Sequence, residues 1–203
     1  EAGLEETGAV NAVTGMILDY RAFDTLGESH VLFIATCCVL LMLRVDKKGM
    51  NSPSLSLVDD EEYEAKSDVI LRFAAKILCP AIFIFGLYII LCGHLGPGGG
   101  FSGGAIIGAG LILYLSAFGF RATERFFNRK TYMILSFSAL ATYSLSKLYS
   151  FYCGANHLET GIPLGTPGAI LSSGLIFVLN ICVGIVVACT MFTFYVMFRK
   201  GDF

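Results

Sequence analysis

Few side chains in this 203-residue sequence can do chemistry, and most of them lie in two short stretches. The first, "ILDYRAFDTLGESH", gathers Asp19, Arg21, Asp24, Glu28 and His30. If the stretch is helical, Asp24 and Glu28 share one face. Neighbouring carboxylates attract cations and raise one another's pKa, which suits a relay or an entry site. An ion-pair network around Arg21 is the alternative reading. His30 can exchange protons near neutral pH, or it can hydrogen-bond a neighbouring helix. The second stretch, "LATYSLSKLYSFYC", holds Lys147 in an otherwise uncharged run. A lysine held in a membrane interior pairs, lines a path, or extends its stem to the interface. Tyr88, at similar depth on another apolar run, is a candidate partner.

A third stretch, "GHLGPGGGFSGGAIIGAG" at 93–110, brings backbone rather than side chains. Glycine-rich turns can cradle phosphate, but the Gly-Lys-Ser/Thr ending of a P-loop is missing. So is the acidic residue that follows a dinucleotide fingerprint. Neither a nucleotide nor a nucleic acid is expected. Gly100, Gly104 and Gly108 recur every four residues, which makes one smooth helix face for close backbone packing in a membrane, with Gly184 and Ala188 as a matching groove. Pro97 restricts the preceding turn, Phe101 can anchor the helix start, and His94 can donate to a loop carbonyl or join a polar path. Asn180, near the middle of the last apolar run, is expected to hydrogen-bond another helix. No haem, zinc or EF-hand spacing occurs, so neither metal nor cofactor is expected. The seven cysteines read as small buried hydrophobes, with Cys92 and Cys153 at depths that would allow a disulfide.

The elements that must position these residues are apolar and long. The chain is 55% hydrophobic and only 15% charged, against about 25% charged in an ordinary soluble domain. Its charges are confined to the segments between uncharged runs. That pattern predicts an all-α, polytopic membrane bundle of about five transmembrane helices, near 26–44, 70–93, 101–120, 131–153 and 169–198. With the 45–69 loop inside, eleven basic residues lie inside and only Arg21 outside, so the positive-inside rule predicts an N-out, C-in chain. The acidic loop "NSPSLSLVDDEEYEAKSD" reads as a hydrated linker. Residue 1 is not Met, and an external acidic start without an upstream helix predicts a preceding span.

The glycine stretch also carries a resemblance. "GHLGPGGGFSGGAIIGAGLILYL" resembles the signature of the MnhB family, the B subunit of Mrp-type multisubunit Na+/H+ antiporters. "GIPLGTPGAILSSGLIFVLNICVGIVVACTMFTFYVMF" is similar to that family's last span, and together they cover about residues 66–200. "ILDYRAFDTLGESHVLFIATCCVLLMLR" resembles the C-terminal end of the antiporter A subunit, which elsewhere occurs as a small separate subunit of hydrogenase-type complexes. The resemblance implies residues 1–50 as an A-subunit-like segment with one span, 51–65 as linker, and 66–203 as a four-span MnhB-like domain. It implies a non-catalytic subunit of a complex exchanging Na+ for H+ in a prokaryotic plasma (inner) membrane, surrounded by lipid and sister subunits. The alternative it leaves is an ion-translocating or scaffold subunit of a respiratory redox complex. Lys147, Asp24, Glu28, His30 and His94 are then the candidates for the ion path.

Overall fold

The computed structural model describes residues 2–43, 69–123, 125–158, 161–169 and 172–200. The expected linker at 51–65 and the basic residues Arg44, Lys47, Lys48 and Lys66 lie outside the described residues. Two short helices, α1 (Ala2–Thr7) and α2 (Ala12–Gly15), lead through a π-helical turn (Met16–Tyr20) into α3 (Ala22–Met42). Then come α4 (Val69–Leu91), α5 (Gly100–Phe118), the single turn α6 (Phe120–Thr123), α7 (Arg129–Ala155) and α8 (Leu175–Lys200). Among the described residues there is no strand.

Among the described residues four helices, α3, α4, α5 and α8, are long and apolar enough to cross a membrane. The fifth, α7, has 27 residues, which at 1.5 Å per residue is about 40 Å, but its composition is more polar than the others'. α3 begins at Ala22, a turn before the expected start, so Asp24, Glu28 and His30 all stand on the helix itself. α8 is helical only from Leu175, later than the expected 169.

α8 forms the axis of the bundle. It is apolar all round, and a helix of that kind must be surrounded. Two thirds (67%) of its most apolar window is buried, against 22% for α3 and α4 and 33% for α5. α5 packs along one side of it through the smooth glycine face. A Cβ added at Gly100, Gly104 or Gly108 would stand 2.5 Å from Asn180 O, 2.6 Å from Gly184 O and 2.9 Å from Met191 Cβ respectively. α5 has a second smooth face, not expected from the four-residue repeat, that seats α4: a Cβ at Gly103 would meet Gly86 O at 2.8 Å. α3 and α7 cover the rest of α8, and the shared core is built from Leu18, Leu140, Tyr143, Leu179, Val183 and Val186.

The loops sort by end. The α1–α2 segment, the glycine loop and the segment before α8 converge on one end, here the cap end. Met42, Val69, α6 and the start of α7 lie at the opposite, distal end. All seven cysteines are free, so Cys92 and Cys153 do not form a disulfide.

Candidate functional site

The cap end is held by hydrogen bonds that cross between distant parts of the sequence. Asn11 is the hub. Its side-chain oxygen accepts from the N–H groups of Val13 (3.1 Å) and Thr14 (3.4 Å) and so caps α2, the ordinary helix-start role of asparagine. Its Nδ2 donates to Gly96 O at 2.7 Å and Gly93 O at 3.2 Å. Its backbone N–H donates to His94 O at 3.0 Å, and Thr14 Oγ1 adds a bond to Gly93 O at 2.8 Å. The loop carbonyls therefore point toward the N-terminal segment. Glycine is required at 93, because a Cβ there would stand 2.7 Å from Gly99 Cα.

His94 is fully buried. A carbonyl oxygen can only accept, so Nε2–H donates to Ala169 O at 3.2 Å, in the segment before α8 rather than in the glycine loop. Nδ1 is buried without a partner. Phe177 of α8 packs edge-on against the ring, centroids 5.9 Å apart. Asn180 makes the expected inter-helix bond, its Oδ1 accepting from Gly100 N at 3.1 Å, so the first free N–H of α5 is capped from α8. Pro97 is exposed at the loop tip, and Phe101 is partly exposed on the first turn of α5. Ser173 Oγ donates to Gly8 O at 2.8 Å and closes the cap on its third side.

The charged groups divide into two sets. Arg21 and Asp24 form an exposed fork, with Nε 2.7 Å and Nη2 2.5 Å from Asp24 Oδ2. Glu28 is exposed one turn further along α3. His30 is half-buried and donates from Nδ1 to Leu26 O of its own helix at 2.8 Å, leaving Nε2 free of that bond. Tyr20 donates to the Glu6 carboxylate. That bond, some desolvation, and the charges of Glu6 and Asp19 together hold its phenol above the ordinary tyrosine value.

Lys147 belongs to the second set and is 5% exposed. Its Nζ donates to Asp19 Oδ1 at 3.2 Å. Tyr88, the partner suggested by depth, is instead 61% exposed on α4. The actual partner comes from the π-helical turn, where one extra residue per turn changes the direction of the side chains. Asp19 is about 39% exposed, so the pair has one buried and one wetted end. One turn earlier on α7, the Tyr143 hydroxyl donates to Ala22 O at 3.0 Å.

Apolar helices of membrane-crossing length, a capped glycine loop and a buried lysine paired across 128 positions of sequence define a multi-pass membrane protein with a polar interior. Residues 70–193 match the family described as a domain related to the MnhB subunit of Na+/H+ antiporter. The chain belongs to the MnhB family. An uncharacterized protein of Methanocaldococcus jannaschii is 30% identical over 90% of this chain and 74% of its own length. A probable K(+)/H(+) antiporter protein of Rhizobium meliloti is 30% identical over 61% of this chain but only 14% of its own. Two solved assemblies contain similar chains. One is the membrane-bound sulfane sulfur reductase, an archaeal respiratory membrane complex (TM-score 0.73, 31% identity, 95% of this chain and 79% of that one). The other is the Mrp complex from Dietzia sp. DQ12-45-1b (TM-score 0.70, 27% identity, 98% of this chain and 22% of that one).

Proposed function

We propose that this chain is a non-catalytic membrane subunit of a multisubunit Mrp-type module that exchanges Na+ for H+ in the plasma membrane of a prokaryote. Its partners are sister subunits and lipid. The observation that carries the reading is the family match over 70–193, which takes in the glycine loop, Lys147 and most of α8. In this reading residues 1–50 act as the A-subunit-like unit, 51–65 as the linker and 66–203 as the MnhB-like unit, and the cap end faces outward. Lys147, Asp24, Glu28, His30 and His94 lie on or beside the ion route. Gly100, Gly104 and Gly108, with Pro97 and Phe101, hold α5 and its loop in place. The test is purification of the intact complex, identification of its subunits, and collapse of a pH gradient by added Na+ in vesicles carrying it. Absence of Na+-driven collapse refutes exchange.

A second reading makes the chain an ion-translocating or scaffold subunit of a respiratory redox complex. The likeness to a chain of the sulfane sulfur reductase favours it. Co-purification of an iron–sulfur subunit would select this reading over a free-standing antiporter.

A further inference from the structure

The surface of α7 is the reverse of a soluble amphipathic helix. Its outward positions are apolar: Ile134, Phe137, Leu145, Leu148 and Phe151 are each more than 60% exposed. Its inward positions include polar residues, Tyr132, Ser136, Tyr143 and Lys147, buried beside Ala139, Leu140 and Cys153. The polar set is spaced 4, 7 and 4 residues apart, which places it on one helix face. α3 answers with Thr25, Ser29 and Thr36, also buried and spaced 4 and 7 apart. The two helices run in opposite directions, so the rows meet end to end. Thr25 stands beside Tyr143 toward the cap end, and Thr36 and Ser136 stand beside Tyr132 toward the distal end.

Lipid is as apolar as leucine, so membrane helices associate through close packing and inter-helix hydrogen bonds, and each polar group desolvated between them needs a partner. The α3 hydroxyls are satisfied by carbonyls: Ser29 donates to Thr25 O and Thr36 to Leu32 O, each at 2.9 Å. Two others are not. Thr190 and Thr193 Oγ1 of α8 are buried without a hydrogen-bond partner, while Ser136 Oγ of α7 lies against Tyr132 and Cys189. Buried polar groups left unpaired in this way are the ones that internal water satisfies.

We propose that the α3/α7/α8 seam holds internal water and passes protons, not metal cations, between the Asp19–Lys147 pair at the cap end and the Tyr132–Ser136 cluster toward the distal end. This rests on the exchange function proposed above and assigns the proton leg of it. Each oxygen along the seam, water or hydroxyl, accepts one proton from the neighbour on one side and releases its own to the neighbour on the other, so no group is consumed. At the mouth, the ammonium of Lys147 gives a proton to Asp19, whose wetted carboxylate exchanges it with solvent, and the neutral amine is reprotonated from the seam. A hard metal cation needs a shell of several oxygens, and the buried ammonium at the mouth repels it. Between the two polar halves the packing is apolar: Ala139 and Leu140 meet Leu179, Val183 and Val186. A gate would act there.

Two measurements test the seam. Thr36→Val and Ser136→Ala each remove a hydroxyl at nearly constant volume, so the complex should assemble. Na+-driven proton movement in vesicles with equal amounts of complex should fall about tenfold or more in the double variant, a modest share of what one positioned proton-transfer group contributes. Full proton movement overturns the proposal. Independently, Ser136→Cys in the assembled complex should react with methyl methanethiosulfonate above the level of wild type, because only a hydrated thiol ionises to the reactive thiolate. No added labelling means a dry seam and overturns the proposal whatever the transport result. If wild-type vesicles show no Na+-driven exchange, the functional reading fails, while the labelling still decides whether the seam is wet.

Discussion

Replacing Gly104 by alanine adds one methyl group at a close crossing of α5 and α8. The new Cβ would lie 2.6 Å from Gly184 O, 2.9 Å from Val187 Cβ and 3.0 Å from Gly184 Cα. Ordinary van der Waals contact begins near 3.4 Å, so α5 and α8 would have to separate by up to 0.8 Å (3.4 − 2.6) at this point. Two of the three obstructing atoms are helix backbone, which no rotamer change can move. Overpacking of a tight core costs about 1–3 kcal/mol. At 2–4 °C per kcal/mol for a chain of this size, the midpoint should drop by about 2–12 °C. Gly27→Ala is the matched control, because a Cβ there meets nothing within 4 Å. Its higher helix propensity should raise stability by up to about 1 kcal/mol. Thermal unfolding of the detergent-solubilised complex, followed by size-exclusion chromatography, reads both variants. An undiminished midpoint for Gly104→Ala would refute the close α5–α8 contact, and Gly104→Leu should then also assemble normally instead of failing.

Lys147→Ala should assemble but lose Na+-coupled proton movement, whereas Lys147→Arg, permanently charged, should restore the pairing with Asp19 and not the activity. Full activity of both in vesicles would remove Lys147 from the route. Asn11→Ala removes the donor to Gly93 and Gly96 and should cost about 1–3 kcal/mol. Asn11→Asp should cost more, since a carboxylate would face two carbonyl oxygens; midpoints in the reverse order would contradict the clamp. Pro97→Gly should leave the complex assembled at lower exchange activity, and equal activity at equal subunit level would take the loop out of the mechanism. Cysteines engineered at 161–169 should be labelled from outside the cell and those at 125–128 should not; the opposite pattern would invert the chain.

The parts of the fold that follow from local chemistry were legible in the sequence. Runs of twenty apolar residues declare helices, and a glycine every fourth residue places Gly100, Gly104 and Gly108 on one face. Asn180, isolated in an apolar run, had to find a partner and found Gly100 N. What was not legible depends on which remote residue arrives. Nothing near Lys147 in the sequence marks Asp19, and the π-helical turn that aims Asp19 has no signature in "MILDY". The second smooth face of α5 needed the position of Gly86. Asn11 did carry a signal, an asparagine just before a short helix, but its bonds to the glycine loop span more than eighty residues.

These remote contacts tie the N-terminal segment to the part of the chain that matches the MnhB family. Asn11, Thr14, Asp19 and Ala22 all bond across to residues between 93 and 147. The N-terminal segment thus completes the cap: without it Lys147 loses its carboxylate and the Gly93 carbonyl loses two donors. Leaving a buried ammonium unpaired costs far more than a surface ion pair gains, so the Asp19–Lys147 bond, with those of Asn11 and Thr14, fixes where the N-terminal segment meets α7 and the glycine loop.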